Sequence, residues 1–212
     1  MPINHSQDIS QTLKISTTIN IISALEREKI EVKIATYRGN KPFLNFENDE
    51  KNRKWVEKNE DLLLNVLNID NITPSKYDGI IIPSYLYIYE ELKITDHSLS
   101  TILTRFHEAN KIICTLGHST YALCKCDSEG QWPFAGFSLT GYSLDNLMRD
   151  NLFGVLPFVI EEMVMLQGGN FVVSGSLADD SLVVSDRNLI TGLDEASLDS
   201  CLSNLINKLS KS

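Results

Sequence analysis

Three observations in this 212-residue chain predict an open, mostly parallel α/β sheet with helices on both faces. Two short apolar runs have the length of buried strands: Ile80 to Ile82, after Tyr77-Asp78-Gly79, and Ile112 to Leu116, broken only by Thr115. Amphipathic helical patterns alternate with such runs along the chain. The second run ends at Gly117, and Tyr121 to Cys124 continues with helical composition. Strand, tight turn and helix is the geometry of a nucleophile elbow, in which the reactive side chain sits on strained backbone at the end of a strand.

Each element can be justified in order. Ser6 or Asp8 suits the N-cap of a first helix, in which Ile15, Ile19, Ile22 and Leu25 form one buried stripe. Glu26 to Lys29 is a solvated charge run that ends it. Ile30 to Thr36 alternates apolar and polar residues and predicts a strand, closed by the turn residues Arg38-Gly39-Asn40. A helix is expected from near Asn52, anchored by Trp55 and Val56 and ending in apolar Leu62 to Leu67. Thr73-Pro74 marks a break, and Tyr77 to Pro83 is the clearest strand, running into Pro83-Ser84-Tyr85.

Asp96 or Ser98 caps a helix reaching Asn110, with Leu99, Ile102, Leu103 and Phe106 on one face and His107 at its boundary. His5 and His97 carry no partner pattern. After the Gly117 elbow, Cys126 to Trp132 is a polar turn, and Phe137 to Ser143 resembles the Thr-Gly-Ser-type strand and loop of amidotransferase-like proteins. Pro157 to Met163 resembles the segment leading into their acidic helix, Gly168-Gly169 stops that helix, and Phe171 to Val173 begins another strand. Leu182 to Gly192 is a hairpin around Asp186-Arg187-Asn188. Asp194 caps a last helix whose apolar face is Leu198, Cys201, Leu202, Leu205, Ile206 and Leu209.

Bulk properties exclude several classes. The length suits a single domain over 1–212, able to bury about 70% of its unfolded surface. Hydrophobic residues make up 42% and charged residues 22%, as in ordinary globular proteins. A net charge of −9 and a pI near 4.9 argue against direct electrostatic binding of nucleic acid or anionic lipid. The four cysteines, Cys114, Cys124, Cys126 and Cys201, offer no metal pair with a nearby histidine, and Cys114 and Cys201 fall in core patterns. No metal or cofactor is expected. Met1 to Ser10 lacks the apolar core of a signal peptide, and no apolar run approaches the ~20 residues of a membrane helix, so a cytoplasmic chain is expected.

The run Lys111 to Cys124 resembles the PfpI superfamily, the amidotransferase-like hydrolases that include the Parkinsonism-associated deglycase. That superfamily has a flavodoxin-like, class I amidotransferase-like sheet and writes its elbow Cys-His-Gly; the three positions here are Gly117, His118 and Ser119. Glycine adopts the positive φ of an elbow with little steric cost, so Gly117 keeps the bend and deletes the thiol. Where relatives have Pro-Gly-Gly and use a glycine amide for the oxyanion, this chain has Pro83-Ser84-Tyr85, and two side chains enter the substrate's space. The resemblance covers about Ile30 to Leu209. The superfamily's first strand has no counterpart, since only Met1 to Asn4 precedes the helical segment: either the chain is truncated relative to its relatives or it builds its sheet one strand short. Asp8, nearest to the usual acidic partner, reads better as a helix cap.

Leu116-Gly117-His118, Pro83-Ser84 and Arg53-Lys54-Trp55-Val56 look like the glutamine amidotransferase-like class 1 domain-containing protein 1 branch. That branch is described as lacking the catalytic cysteine. The resemblance implies a non-catalytic subunit of a five-subunit early-endosomal assembly, the FERRY complex, which is a Rab-GTPase effector carrying mRNA. It also implies protein partners, association with early endosomes, and a homo-oligomer, with RNA contact left to other subunits. An exposed sheet edge left by a missing strand favours assembly on its own account.

The relic site is therefore Gly117, His118, Ser84 and Tyr85, with no catalytic residue assigned. A second reading is a hydrolase or a glyoxalase- or deglycase-type enzyme with rewired chemistry, in which His118 acts as base for Ser119, Ser84 or Cys114. Adjacent helical residues do not face one another, which makes a His118–Ser119 dyad poor. Cys114 lies three residues up a buried strand. A small-molecule sensor using the vestigial pocket is the third reading.

Overall fold

The computed structural model describes residues 15–40, 49–85, 98–154, 156, 158–175 and 181–211. The chain forms two compact units, Met1–Asn68 and Ile69–Ser212. In the first, α1 (Ile15–Arg27) buries Ile15, Ile19, Ile22 and Leu25, the predicted stripe, together with Ile21 and Thr17. Ser6 and Asp8, the candidate caps, lie outside the described residues, as does the segment where the superfamily's first strand would fall.

The strand expected over Ile30 to Thr36 is shorter: β1 is Ala35–Thr36. Its alternation is real, since Val32 and Ile34 are half-buried while Glu31 and Lys33 are exposed and paired at 2.6 Å. The partner is what limits it. β2 (Leu67–Asn68) offers only two residues of parallel ladder, Ala35 to Leu67 and Thr36 to Asn68. α2 (Glu50–Lys58) begins before Asn52 because the Asp49 carboxylate accepts the Lys51 and Asn52 N–H groups at 2.8 and 3.3 Å. It does not continue through Leu62 to Leu67. Asn59 leaves helical geometry and its side-chain amide donates to the Trp55 carbonyl at 2.7 Å. A separate short helix, α3 (Glu60–Leu64), buries Leu63, and Leu67 belongs to β2.

The second unit is built on a four-stranded sheet: β3 (Gly79–Ile82), β4 (Ile112–Leu116), β7 (Val183–Asp186) and β8 (Leu189–Gly192), in the order β3-β4-β8-β7. β4 is parallel to both neighbours, with Ile81 opposite Cys114 and Cys114 opposite Ile190. It is buried along its whole length, which is why its sequence reads as a continuous apolar run. β7 returns antiparallel through the predicted hairpin, with Arg187 at φ 52° in the turn.

Helices α4 (Ser98–Glu108), α5 (Tyr121–Cys124) and α8 (Leu198–Leu209) cover this sheet. Side-chain parity shows that they lie on opposite faces. Cys114 of β4 meets Cys201 of α8, and the neighbouring Gly192 is held within 2.8 Å of the Cys201 sulfur, measured from where a β-carbon would stand. Thr115 points the other way, its hydroxyl 3.0 Å from that of Thr120 just before α5. α4 lies beside α5, with Ser100 Oγ donating to the Ala122 carbonyl at 2.8 Å. α4 buries Leu99, Ile102, Leu103 and Phe106 as predicted; Asp96 and His97 lie outside the described residues, as does His5. Asp194 caps the C-terminal helical segment, through a 3-10 turn over Glu195–Ser197 that precedes α8.

A smaller parallel pair, β5 (Ser138–Leu139) and β6 (Asn170–Phe171), lies beside this sheet, with Ser138 N–H donating to Asp186 at 2.8 Å. Between them run α6 (Leu144–Arg149), capped reciprocally by Ser143 and Asn146, and α7 (Ile160–Leu166). Gly168, at φ 84°, ends α7. The strand expected to start at Phe171 starts at Asn170, whose N–H already pairs with the Phe137 carbonyl.

Candidate functional site

At the carboxyl end of β4 the chain turns through a 3-10 segment, Gly117–Thr120, directly into α5. Gly117 sits at φ 53°, the left-handed region that glycine enters freely. The Ser84 hydroxyl lies in contact with the place a Gly117 β-carbon would occupy, and Asp194 Cα is 3.6 Å from that place. The structure thus brings together Gly117 and Ser84 from the ends of β3 and β4, with Asp194 following β8. Tyr85 is half-buried at the same strand end.

His118 is 8% exposed, and its ring packs on Tyr142 with centroids 3.9 Å apart and planes tilted by 31°. Burial lowers its pKa to about 4, so the imidazole is neutral at physiological pH. Ser119 is fully buried and its hydroxyl donates to the Pro83 carbonyl at 2.5 Å, tying the elbow to the loop after β3. Its proton is therefore committed to backbone. Tyr142, whose N–H reaches the Gly117 carbonyl at 3.4 Å, also hydrogen-bonds Asp150 through its phenol.

Behind the elbow is a buried hydroxyl layer. Thr115 and Thr120 pair with one another, and Thr191 Oγ1 accepts the Thr140 N–H at 2.8 Å. Gly141 is held against Thr120 so closely that a β-carbon there would lie 2.8 Å from the threonine's own. Sequence reading singled out Phe137 to Ser143 as strand and loop but not the stacking of Tyr142 on His118. An aromatic following Thr140-Gly141 is the only local signal, and it does not specify a partner.

All four cysteines are free and buried. Contact with Cys201, together with burial, pushes the Cys114 thiol well above its usual range, and burial takes Cys124 and Cys126 up to about 12. None of these three supplies a thiolate at neutral pH. Among the described residues no group of three His, Cys, Asp or Glu side chains is placed to hold a metal ion, and no helix is long and apolar enough to cross a membrane.

The same architecture occurs in solved structures. The 24 kDa rapid encystment protein of Francisella tularensis superposes with a TM-score of 0.76 at 18% identity, covering 92% of this chain and 88% of that one. Glyoxalase III of Candida albicans gives 0.73 at 14% identity, covering 92% and 87%. DJ-1beta of Drosophila melanogaster gives 0.59 at 18%, covering 92% and 84%. At such identities the likeness establishes the fold, that of the DJ-1/PfpI proteins. No protein-family model matches the chain. Relatives by sequence are nearer: glutamine amidotransferase-like class 1 domain-containing protein 1 of Bos taurus is 35% identical over 163 residues, 74% of this chain and 71% of the relative. Its Homo sapiens counterpart is 35% identical over 162 residues with the same coverage. With this fold and this degree of identity, the chain belongs to the glutamine amidotransferase-like class 1 domain-containing protein 1 family.

Proposed function

We propose that this chain is a catalytically silent amidotransferase-like scaffold whose work is protein assembly. The observation that carries the reading is at Gly117: the elbow has no nucleophilic side chain, and the Ser84 hydroxyl fills the place where one would begin. Covalent catalysis at an elbow needs a nucleophile at its apex and a base within hydrogen-bond reach. The engagement of Ser119 with Pro83, and the packing of His118 on Tyr142, give less support to the alternative of an enzyme rewired around His118.

Purified protein should show no thiol-dependent esterase, amidase, glyoxalase or deglycase turnover. Turnover abolished by an alkylating reagent and restored by reductant would overturn the proposal, as would turnover lost in His118→Ala with the fold intact. The resemblance at the elbow extends the proposal to membership of an early-endosomal, Rab-effector, mRNA-transporting assembly of the FERRY kind. Co-expression with the other subunits of such an assembly, followed by size-exclusion chromatography, tests that extension. A chain that elutes apart from all of them would exclude it.

A further inference from the structure

Thr73 is the only serine or threonine of the chain that a proline follows, and Lys76 stands two residues beyond that proline. A residue before proline is confined to extended backbone, and Thr73 obeys, with φ −110° and ψ 112°. Its neighbours fix the segment in place. Ile72 is 8% exposed, Pro74 is buried, and the 3-10 turns on either side, Ile69–Asn71 and Pro74–Lys76, pack on α4. Thr73 and Lys76 themselves are exposed. The Thr73 hydroxyl does not cap the turn that follows it. That turn closes through backbone, the Lys76 N–H donating to the Thr73 carbonyl at 3.0 Å and the Tyr77 N–H to the Pro74 carbonyl at 3.1 Å. A hydroxyl oxygen thus stands at the surface between two buried anchors.

Threonine, proline, any residue, lysine is a pattern that protein kinases read, and each position has a physical reason. Proline has no N–H, so a kinase pocket that offers no acceptor there strands nothing, whereas any other residue would bury an unmade hydrogen bond. An ammonium group two residues further on answers an acidic site on the kinase. We propose that Thr73 is a phosphorylation site for a proline-directed protein kinase that selects a basic residue three positions on. The Thr73 Oγ1 attacks the γ-phosphorus of ATP, and the new O–P bond forms as the bond to the β–γ bridging oxygen breaks. ADP leaves, and the hydroxyl proton passes to the catalytic aspartate of the kinase. Engagement straightens the Pro74–Lys76 turn and lifts Pro74 from its seat. This breaks the two backbone hydrogen bonds of the turn and no strand pairing, so the opening is local. The product adds about −1.5 to −2 in charge at pH 7, between Asp70 and Lys76 in the chain. The proposal stands whether or not the elbow is catalytically silent, because it uses none of the elbow residues.

The test is incubation of the folded full chain with a purified cyclin-dependent kinase, its cyclin, Mg2+ and ATP. Incorporation is counted by intact mass and located by tandem mass spectrometry. One phosphate per chain, on Thr73, is expected, in a product that keeps its native circular dichroism. Thr73→Ala should take up none. Lys76→Glu should lower kcat/KM by at least about tenfold. Both substitutions fall at exposed positions, and mapping on the wild-type chain decides the site if either variant fails to fold. Any of four results overturns the proposal: no incorporation, phosphate on another residue in place of Thr73, a folded Lys76→Glu chain phosphorylated as fast as wild type, or a product without native circular dichroism. The last would mean that the kinase takes only unfolded chain.

Discussion

Gly117 has a positive φ and a neighbouring hydroxyl in the space of its missing β-carbon, so placing a cysteine there meets two separate obstacles. Backbone strain for a non-glycine residue in such a conformation is about 1–3 kcal/mol, and the collision with Ser84 adds to it. Gly117→Cys should melt below wild type, and Gly117→Cys with Ser84→Gly should recover part of the loss but not all of it. Equal melting temperatures for all three would mean that the elbow is unstrained. His118 gives a second prediction at this scale. Its folded pKa, about 4, lies below the ordinary 6.5 because burial penalises the charged ring. A depressed folded pKa means that the unfolded chain takes up the proton first. Stability is therefore fully present above about pH 6.5 and is lost as pH falls toward 4, by about 3 kcal/mol if His118 acts alone. His107, also lowered by burial, contributes in the same direction. Denaturant melts across that window should show the loss, and His118→Phe should flatten the profile.

Elements differ in how far sequence specified them, and the reason is where their partners lie. β4 was legible because burial along its whole length writes itself as composition, and the stripe of α4 because burial of one face writes itself as a helical period. The segment Ile30 to Thr36 has the alternation of a strand yet pairs over two residues, because ladder length depends on β2, which its own sequence does not encode. The break at Asn59 was hidden for a similar reason: asparagine is tolerated in a helix until its side chain captures a carbonyl one turn back. In the candidate site, Gly117 and Pro83-Ser84 were readable as motif positions, whereas the Tyr142 stacking depends on a loop brought in by tertiary packing. Thr191 makes a testable link between elements. Its hydroxyl joins β8 to the backbone of Thr140, and Thr191→Val keeps the shape while stranding that buried N–H. A loss of about 1–3 kcal/mol in denaturant-measured stability is expected. No loss would mean that the amide finds another acceptor.

Over the whole molecule, charge sets what the chain meets directly. At −9 and pI 4.9 it repels polyanions, so a gel-shift titration with single-stranded RNA should give no complex at physiological salt. A salt-sensitive shift with the isolated chain would contradict this. Homo-oligomerisation, implied by the superfamily resemblance, is checked by analytical ultracentrifugation against the 23.8 kDa monomer mass.

The order of strands also governs how the protein reaches its native state. β4 is zipped between β3, which precedes it, and β8, which arrives from far later in the sequence. Parallel pairings over such separations require large loops to close before they are rewarded, whereas the β7–β8 hairpin closes locally. The hairpin is thus poised to form early and wait. The Gly117 turn gains its Asp194 neighbour only when β8 docks, since that residue follows directly from the strand's end. A ribosome must therefore release the chain through β8 before the elbow gains this neighbour, which places the completion of its surroundings well after β3 and β4 have emerged.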